Sequence, residues 1–158
     1  MEYGMFRYDI IRATDGSQMP PSRPGNLAGA DGATASTLSR VLVVDDERLI
    51  ADTVAQILNI HGYDAFTAYS GPDALKLAAR FQPDYLVSDV MMPVMNGVDL
   101  AMQIEKMLPA VKVLLFSGQA GTGALMEQYR MDGSNFRLVA KPIHPERLVQ
   151  TLREMGSR

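Results

Sequence analysis

Residues 41 to about 155 predict an α/β domain: a doubly wound, five-stranded parallel sheet with helices on both faces. Short apolar runs recur along the chain, VLVV at 41–44, YLVS at 85–88 and VKVLLF at 111–116. Runs of this kind suit strands buried on both sides. Between them lie longer stretches whose apolar positions repeat at helical spacing. Five strand-like runs alternate with five helical ones in about 118 residues, the pattern of parallel strands joined by crossover helices.

Each element has its own justification. After VLVV, the residues Ile50, Val54, Ile57, Leu58 and His61 recur at helical spacing, and Gly62 supplies a C-terminal cap. DAFTAY (64–69) reads as a short second strand. SGPDALKLAARF (70–81) reads as a helix, with Ser70 near its cap and Pro72 in its first turn. YLVS is the third strand. Leu100, Ala101, Ile104 and Leu108 then mark a helix that Pro109 ends. VKVLLF is the fourth strand, and residues 121–131 predict a helix weakened by Gly121 and Gly123. FRLVA (136–140) is the fifth strand. Pro145 opens a last helix with Leu148, Val149, Leu152 and Met155 on one face.

Upstream the composition changes. Residues 14–39, TDGSQMPPSRPGNLAGADGATASTLS, are almost wholly small, polar or Pro and Gly. Such a segment buries too little apolar surface to offset its conformational entropy, so residues 1–39 are expected to be a disordered tail and 40–156 the folded domain. The whole chain has 158 residues, 47% of them hydrophobic and 21% charged, with a formal net charge of −3. That balance leaves no basic footprint for nucleic acid and no polybasic patch for a membrane surface. With no cysteine, disulfides, thiolate zinc sites and cysteine nucleophiles are excluded. No apolar run approaches the roughly 18 residues of a membrane span. Glu2, Arg7, Asp9, Arg12 and Asp15 break up any signal-peptide core, so a cytoplasmic location is expected.

In a doubly wound sheet, chemistry gathers at the carboxyl ends of the strands. There the sequence places Asp45 and Asp46 after the first strand, Asp89 after the third, Ser117 after the fourth and Lys141 after the fifth. Two like charges about 4 Å apart repel by about 4 kcal/mol at an effective dielectric near 20. Three carboxylates held together therefore need a cation, raised pKa values, or both. Oxygen ligands without His or Cys favour Mg²⁺. A lysine and a serine hydroxyl suit phosphoryl oxygens around such an ion. The set predicts phosphoryl transfer onto an aspartate nucleophile.

VLVVDDE (41–47), SDVMMPVMNG (88–97), FSG (116–118) and AKP (140–142) together resemble the receiver domain of two-component response regulators, of the single-domain, chemotaxis-regulator type. The resemblance implies a flavodoxin-like (βα)5 fold and assigns roles by position. Asp89 would accept a phosphoryl group from a phosphohistidine or a small donor. Asp46 and Asp89 would coordinate Mg²⁺ directly, with the backbone carbonyl of Met91, and Asp45 would act through water. Ser117 and Lys141 would each hold a phosphoryl oxygen, and the Lys141–Pro142 bond is expected to be cis. Pro93 and Gly97 match the loop that follows the acceptor.

The pattern departs from the family at two places. Leu138 stands where Tyr or Phe is usual, with Phe136 two residues before it on the same face of the strand. Met91 and Gln119 flank the path of the hydrolytic water, and only Gln119 can orient it. His61, His144, Glu127, Arg130 and Asp132 read as helix ends or solvated surface. With the predicted domain ending near residue 155, output is expected to be a protein contact through residues 117–135 and 136–148. The expected partners are a sensor histidine kinase or histidine phosphotransfer protein and a downstream protein target, with no nucleic acid and no membrane. No turnover enzyme is expected. Two alternatives remain within signalling, a phosphorelay intermediate and a degenerate receiver that binds constitutively. A haloacid-dehalogenase-type phosphohydrolase would need D-x-D-x-[TV] after the first strand, where this chain has DDERL.

Overall fold

Strand β1 (Arg40–Val44) leads through a short turn into helix α1 (Arg48–Ile60) in the computed structural model, which describes residues 37–118, 127 and 136–157. The chain continues as β2 (Asp64–Ala68), α2 (Gly71–Phe81), β3 (Tyr85–Asp89), α3 (Gly97–Met107) and β4 (Lys112–Ser117). It ends with β5 (Arg137–Ala140) and α4 (Pro145–Gly156). The helix expected at 121–131 lies outside the described residues apart from Glu127, which is helical and exposed. The tail expected at 1–39 lies outside them apart from its last three residues. Among the described residues no helix is long and apolar enough to cross a membrane.

All five strands run parallel, in the order β2-β1-β3-β4-β5. The chain leaves β1 toward one edge to form β2 and then returns past β1 to form β3. That reversal opens a crevice at the carboxyl ends of β1 and β3, where the helices on either side diverge. The crevice is therefore set by strand order before any side chain is considered.

Side chains alternate along each strand and fill two cores. Leu42, Val44, Leu86, Val113 and Leu115 face α2 and α3, packing with Ala74, Ala78, Val98, Ala101 and Ile104. Val41, Val43, Val87, Leu114 and Phe116 face α1 and α4, packing with Ala51, Val54, Leu58, Leu148 and Leu152. Burial on both faces is why these strands read as unbroken apolar runs. The predicted face of the last helix is the buried one, with Leu148, Val149 and Leu152 inside and Met155 half-buried.

Six strand boundaries differ by one residue from the sequence expectation, each for a ladder reason. β1 starts at Arg40, opposite Asp64, and β4 starts at Lys112, opposite Tyr85. β3 and β4 each run one residue further, to Asp89 and Ser117, because Asp89 pairs with Phe116 and Ser117 pairs with Ala140. β2 stops at Ala68, whose partner Val44 ends β1. β5 starts at Arg137, opposite Leu114, while Phe136 lies outside the ladder and packs against the core on the α2–α3 side.

β2 is an edge strand, and α1 covers part of that edge. The Asn59 side chain accepts from the Ala65 N–H at 2.8 Å and donates to the Ala65 carbonyl at 3.2 Å. One amide thus does what a neighbouring strand would do at that residue. Asn59→Ala is expected to lower stability by about 1 kcal/mol, the net worth of hydrogen bonds at an exposed site. Urea unfolding checks this: the midpoint should fall while the slope stays constant.

Candidate functional site

The site is built where β1 and β3 end. Asp45 directly follows β1 and is 2% exposed, and its Oδ1 accepts the Glu47 N–H at 2.9 Å. This bond turns the chain into α1. Asp46 is exposed, and Asp89, the last residue of β3, is buried at 8% exposure. Carboxylate oxygens of Asp45, Asp46 and Asp89 lie within 4.8 Å of one another. From the end of β5, Lys141 reaches across β4 to them. Its Nζ lies 3.0 Å from Asp45 Oδ2 and 3.2 Å from Asp89 Oδ2. The Lys141 backbone N–H donates to the Ser117 carbonyl at 2.8 Å, so the ends of β4 and β5 are tied together. The Lys141–Pro142 bond is cis, as the sequence reading expected.

Ser117 ends β4 and is buried at 7% exposure. Met91 is half-exposed, and its backbone N–H donates to Asp89 Oδ1 at 3.4 Å. Every residue expected at the site thus lies at the carboxyl edge of the sheet. The three aspartates and Lys141 meet there through their side chains.

The loop after Asp89 is held by backbone. The Gly97 N–H donates to the Val90 carbonyl at 2.8 Å, and a Cβ on Gly97 would lie 2.0 Å from the Asp89 carbonyl oxygen. Only glycine allows α3 to start so close to Asp89. Asn96 caps that helix, accepting from Val98 and Asp99 at 2.9 and 2.8 Å. In mid-loop, the Met95 N–H bonds the Pro93 carbonyl at 2.8 Å and closes a γ-turn around Val94, whose φ is 69°. That is the rare, strained form of the turn, and here it holds a β-branched residue. Met95 next to it packs on Gly71 at the start of α2, where a Cβ would meet the methionine sulfur at 2.7 Å.

Burial pushes the Asp89 carboxyl above the ordinary aspartate range, and the charge of Asp45 adds to this; Lys141 and the Met91 N–H pull it down without cancelling the rise. Burial works against the Lys141 ammonium, but the bond to Asp45, and after it Asp89, holds its pKa above the usual lysine value. The donor set is three hard carboxylate oxygens without nitrogen or sulfur, which fits Mg²⁺ and not a soft metal.

Sequence reasoning missed one arrangement at this edge. Tyr69, just after β2, donates its hydroxyl proton to Asp52 Oδ1 at 2.7 Å, and the Arg48 guanidinium lies 4.4 Å from its ring centroid. The available signal was Arg48 and Asp52 four residues apart on α1, facing an aromatic residue at the end of the adjacent strand. Phe136 and Leu138 also behave differently from each other: Phe136 packs into the core, while Leu138 is 38% exposed.

Comparison with known proteins agrees with this geometry. The family model of the response regulator receiver domain matches residues 41–153, and the chain belongs to that family. The chain is 30% identical over 118 residues to the chemotaxis protein CheY of Thermotoga maritima, covering 74% of this chain and 97% of that protein. It is 34% identical over 118 residues to the probable transcriptional regulatory protein TcrX of Mycobacterium tuberculosis, covering 75% of this chain. It spans only 50% of TcrX. The crystal structure of a CheY-like response regulator receiver domain protein from Methanospirillum hungatei superposes with a TM-score of 0.69 at 25% identity, covering 75% of this chain and 94% of that one. Receiver domains of two-component systems are phospho-accepting signalling domains that bind Mg²⁺ in an acidic pocket.

The raised pKa of Asp89 has a stability consequence. A carboxyl whose folded pKa exceeds its unfolded value stabilises the fold below the unfolded pKa and loses that contribution as pH rises through the folded one. In metal-free buffer, Asp89→Asn is therefore expected to melt above the parent chain at pH 7. The gap should close below the ordinary aspartate range. Melting curves from pH 3 to 8 in a chelator check this, and an unchanged gap across the range would contradict it.

Proposed function

We propose that this chain is a phosphorylation-driven switch in which Asp89 takes a phosphoryl group from a phosphohistidine on a sensor kinase or histidine phosphotransfer protein. One observation carries the reading: a buried, reactive-edge aspartate lies within 4.8 Å of two further carboxylates and forms an ion pair with Lys141. An Asp89 oxygen attacks phosphorus, the new O–P bond forms as the P–N bond breaks, and the imidazole leaves with the electron pair. Asp46, Asp89 and the Met91 carbonyl would hold Mg²⁺, and Asp45 would act through water. The ion supplies charge neutralisation for the phosphoryl oxygens.

This chain's own residues do the rest. Asp89 sits at the end of a strand buried on both faces, so the nucleophile is fixed in position. Lys141 trades its bonds to Asp45 and Asp89 for a phosphoryl oxygen, and Ser117 donates its hydroxyl to another. Moving Lys141 and Ser117 repositions the ends of β4 and β5, which their backbone bond joins. The partner-binding surface is the one adjoining those ends. Its described part is Ser117, Gly118 and residues 136–148, with exposed Leu138 among them; residues 119–135 lie outside the described ones apart from Glu127.

Amide ¹H–¹⁵N spectra test this, recorded alone, with Mg²⁺, and with Mg²⁺ plus beryllofluoride as the phosphoryl mimic. Resonances of Asp89, Ser117 and Lys141 are expected to shift, with further shifts in 136–148, and Asp89→Asn should abolish them. Spectra that do not respond would leave a degenerate, constitutively binding receiver.

A further inference from the structure

We propose that Arg48 is the anion-binding residue at the mouth of the acidic pocket, and that it takes a small acyl phosphate by its phosphoryl oxygens before transfer to Asp89. The proposal rests on the phospho-acceptor reading. Its basis is a cation that the fold has positioned but not used. Arg48 opens α1 two residues after Asp46, so the two Cα atoms are within about 8 Å. Its side chain turns toward the end of β2, where the guanidinium rests 4.4 Å from the Tyr69 ring centroid. Tyr69 belongs to the same edge, since the carbonyl of the preceding residue, Ala68, accepts the Asp45 N–H at 3.3 Å.

The ring is fixed on both sides. Its hydroxyl donates to Asp52 at 2.7 Å and accepts from the Thr67 hydroxyl at 3.3 Å. A guanidinium lying on a locked ring loses less rotational freedom on binding a ligand than a free side chain does. Arg48 is exposed, and among the described residues its N–H groups have neither a hydrogen-bond acceptor nor an ion-pair partner. Three other cations of the domain are committed: Lys141 to Asp45 and Asp89, Arg40 to Asp64 and the Phe81 carbonyl, Arg137 to Glu154.

The chemistry of the pocket calls for such a group. Three carboxylates against one ammonium repel an anionic donor on approach. A fork of free N–H donors beside them matches phosphoryl oxygens bidentately. In the transfer itself, an Asp89 oxygen bonds to phosphorus, the bond from phosphorus to the acyl oxygen breaks, and the carboxylate leaves with the electron pair. Arg48 holds the donor and takes no part in that exchange.

The test measures phosphorylation of the full chain by acetyl phosphate, as a function of donor concentration and salt, for the parent, Arg48→Gln, Arg48→Lys and Tyr69→Leu. One charge removed about 4 Å from a dianion in a water-like dielectric predicts about a thirtyfold rise in KM for Arg48→Gln at low salt. The effect should shrink toward unity near 1 M salt, where the screening length is about 3 Å. The turnover-limiting rate constant should hold. Arg48→Lys should restore part of the loss, and Tyr69→Leu should show part of it. Separately, titrating acetyl phosphate into Asp89→Asn should shift the Arg48 Nε–H resonance. An unchanged KM in Arg48→Gln, or a loss indifferent to salt, overturns the role of Arg48 while phosphorylation of the parent upholds the acceptor. A parent chain that takes no phosphoryl group overturns both.

Discussion

Three carboxylates meet at the ends of β1 and β3, and the ammonium of Lys141 lets them remain there. Asp45 and Asp89 are buried, so their mutual repulsion acts through a medium far less polar than water. The compensating charge comes from the end of β5, two places from β3 and three from β1, at the far edge of the sheet. The site therefore exists only when β1, β3 and β5 are all in register with β4 between them. Its electrostatics depend on the completed fold, and local sequence alone does not assemble it.

That dependence explains what was legible in advance. Asp45, Asp46, Asp89 and Ser117 could be placed because each falls at the end of a run of buried β-branched or aliphatic residues, and Lys141 because it follows a short apolar edge strand. Parallel topology then sends all those ends to one edge. The two cores could be read for the same reason, since strand residues buried on both faces leave continuous apolar text. Other features had no such signature. Asn59 reads as an ordinary polar residue near a helix end, and only the position of β2 makes its amide an edge cover. The glycine at 97 is recognisable from the motif as part of the loop after Asp89, whereas the 2.0 Å approach of the Asp89 carbonyl is a fact of packing. Phe136 and Leu138 share a strand face by alternation, yet Phe136 precedes the ladder and follows the core instead.

The same edge shows how differently similar charges can be used. Lys141 is bound on the inside to two carboxylates, with its pKa held high by them. Arg48 lies outside, on a tyrosine ring whose own hydroxyl is fixed by Asp52. One cation belongs to the resting structure of the pocket and the other faces what approaches it. Lysine suits the first place as a compact point charge, and arginine suits the second because its planar fork can rest on a ring.

The contact between Met95 and Gly71 gives the loop after Asp89 a mechanical character of its own. The loop begins at a rigid strand end, passes through a strained γ-turn, and closes with a thioether pressed on the first residue of α2. A methionine is unbranched and polarizable, and it deforms under small displacements where a branched side chain would resist. The joint between loop and helix is thus a soft washer between two stiff parts. Small movements at Asp89 can be absorbed there without unseating α2.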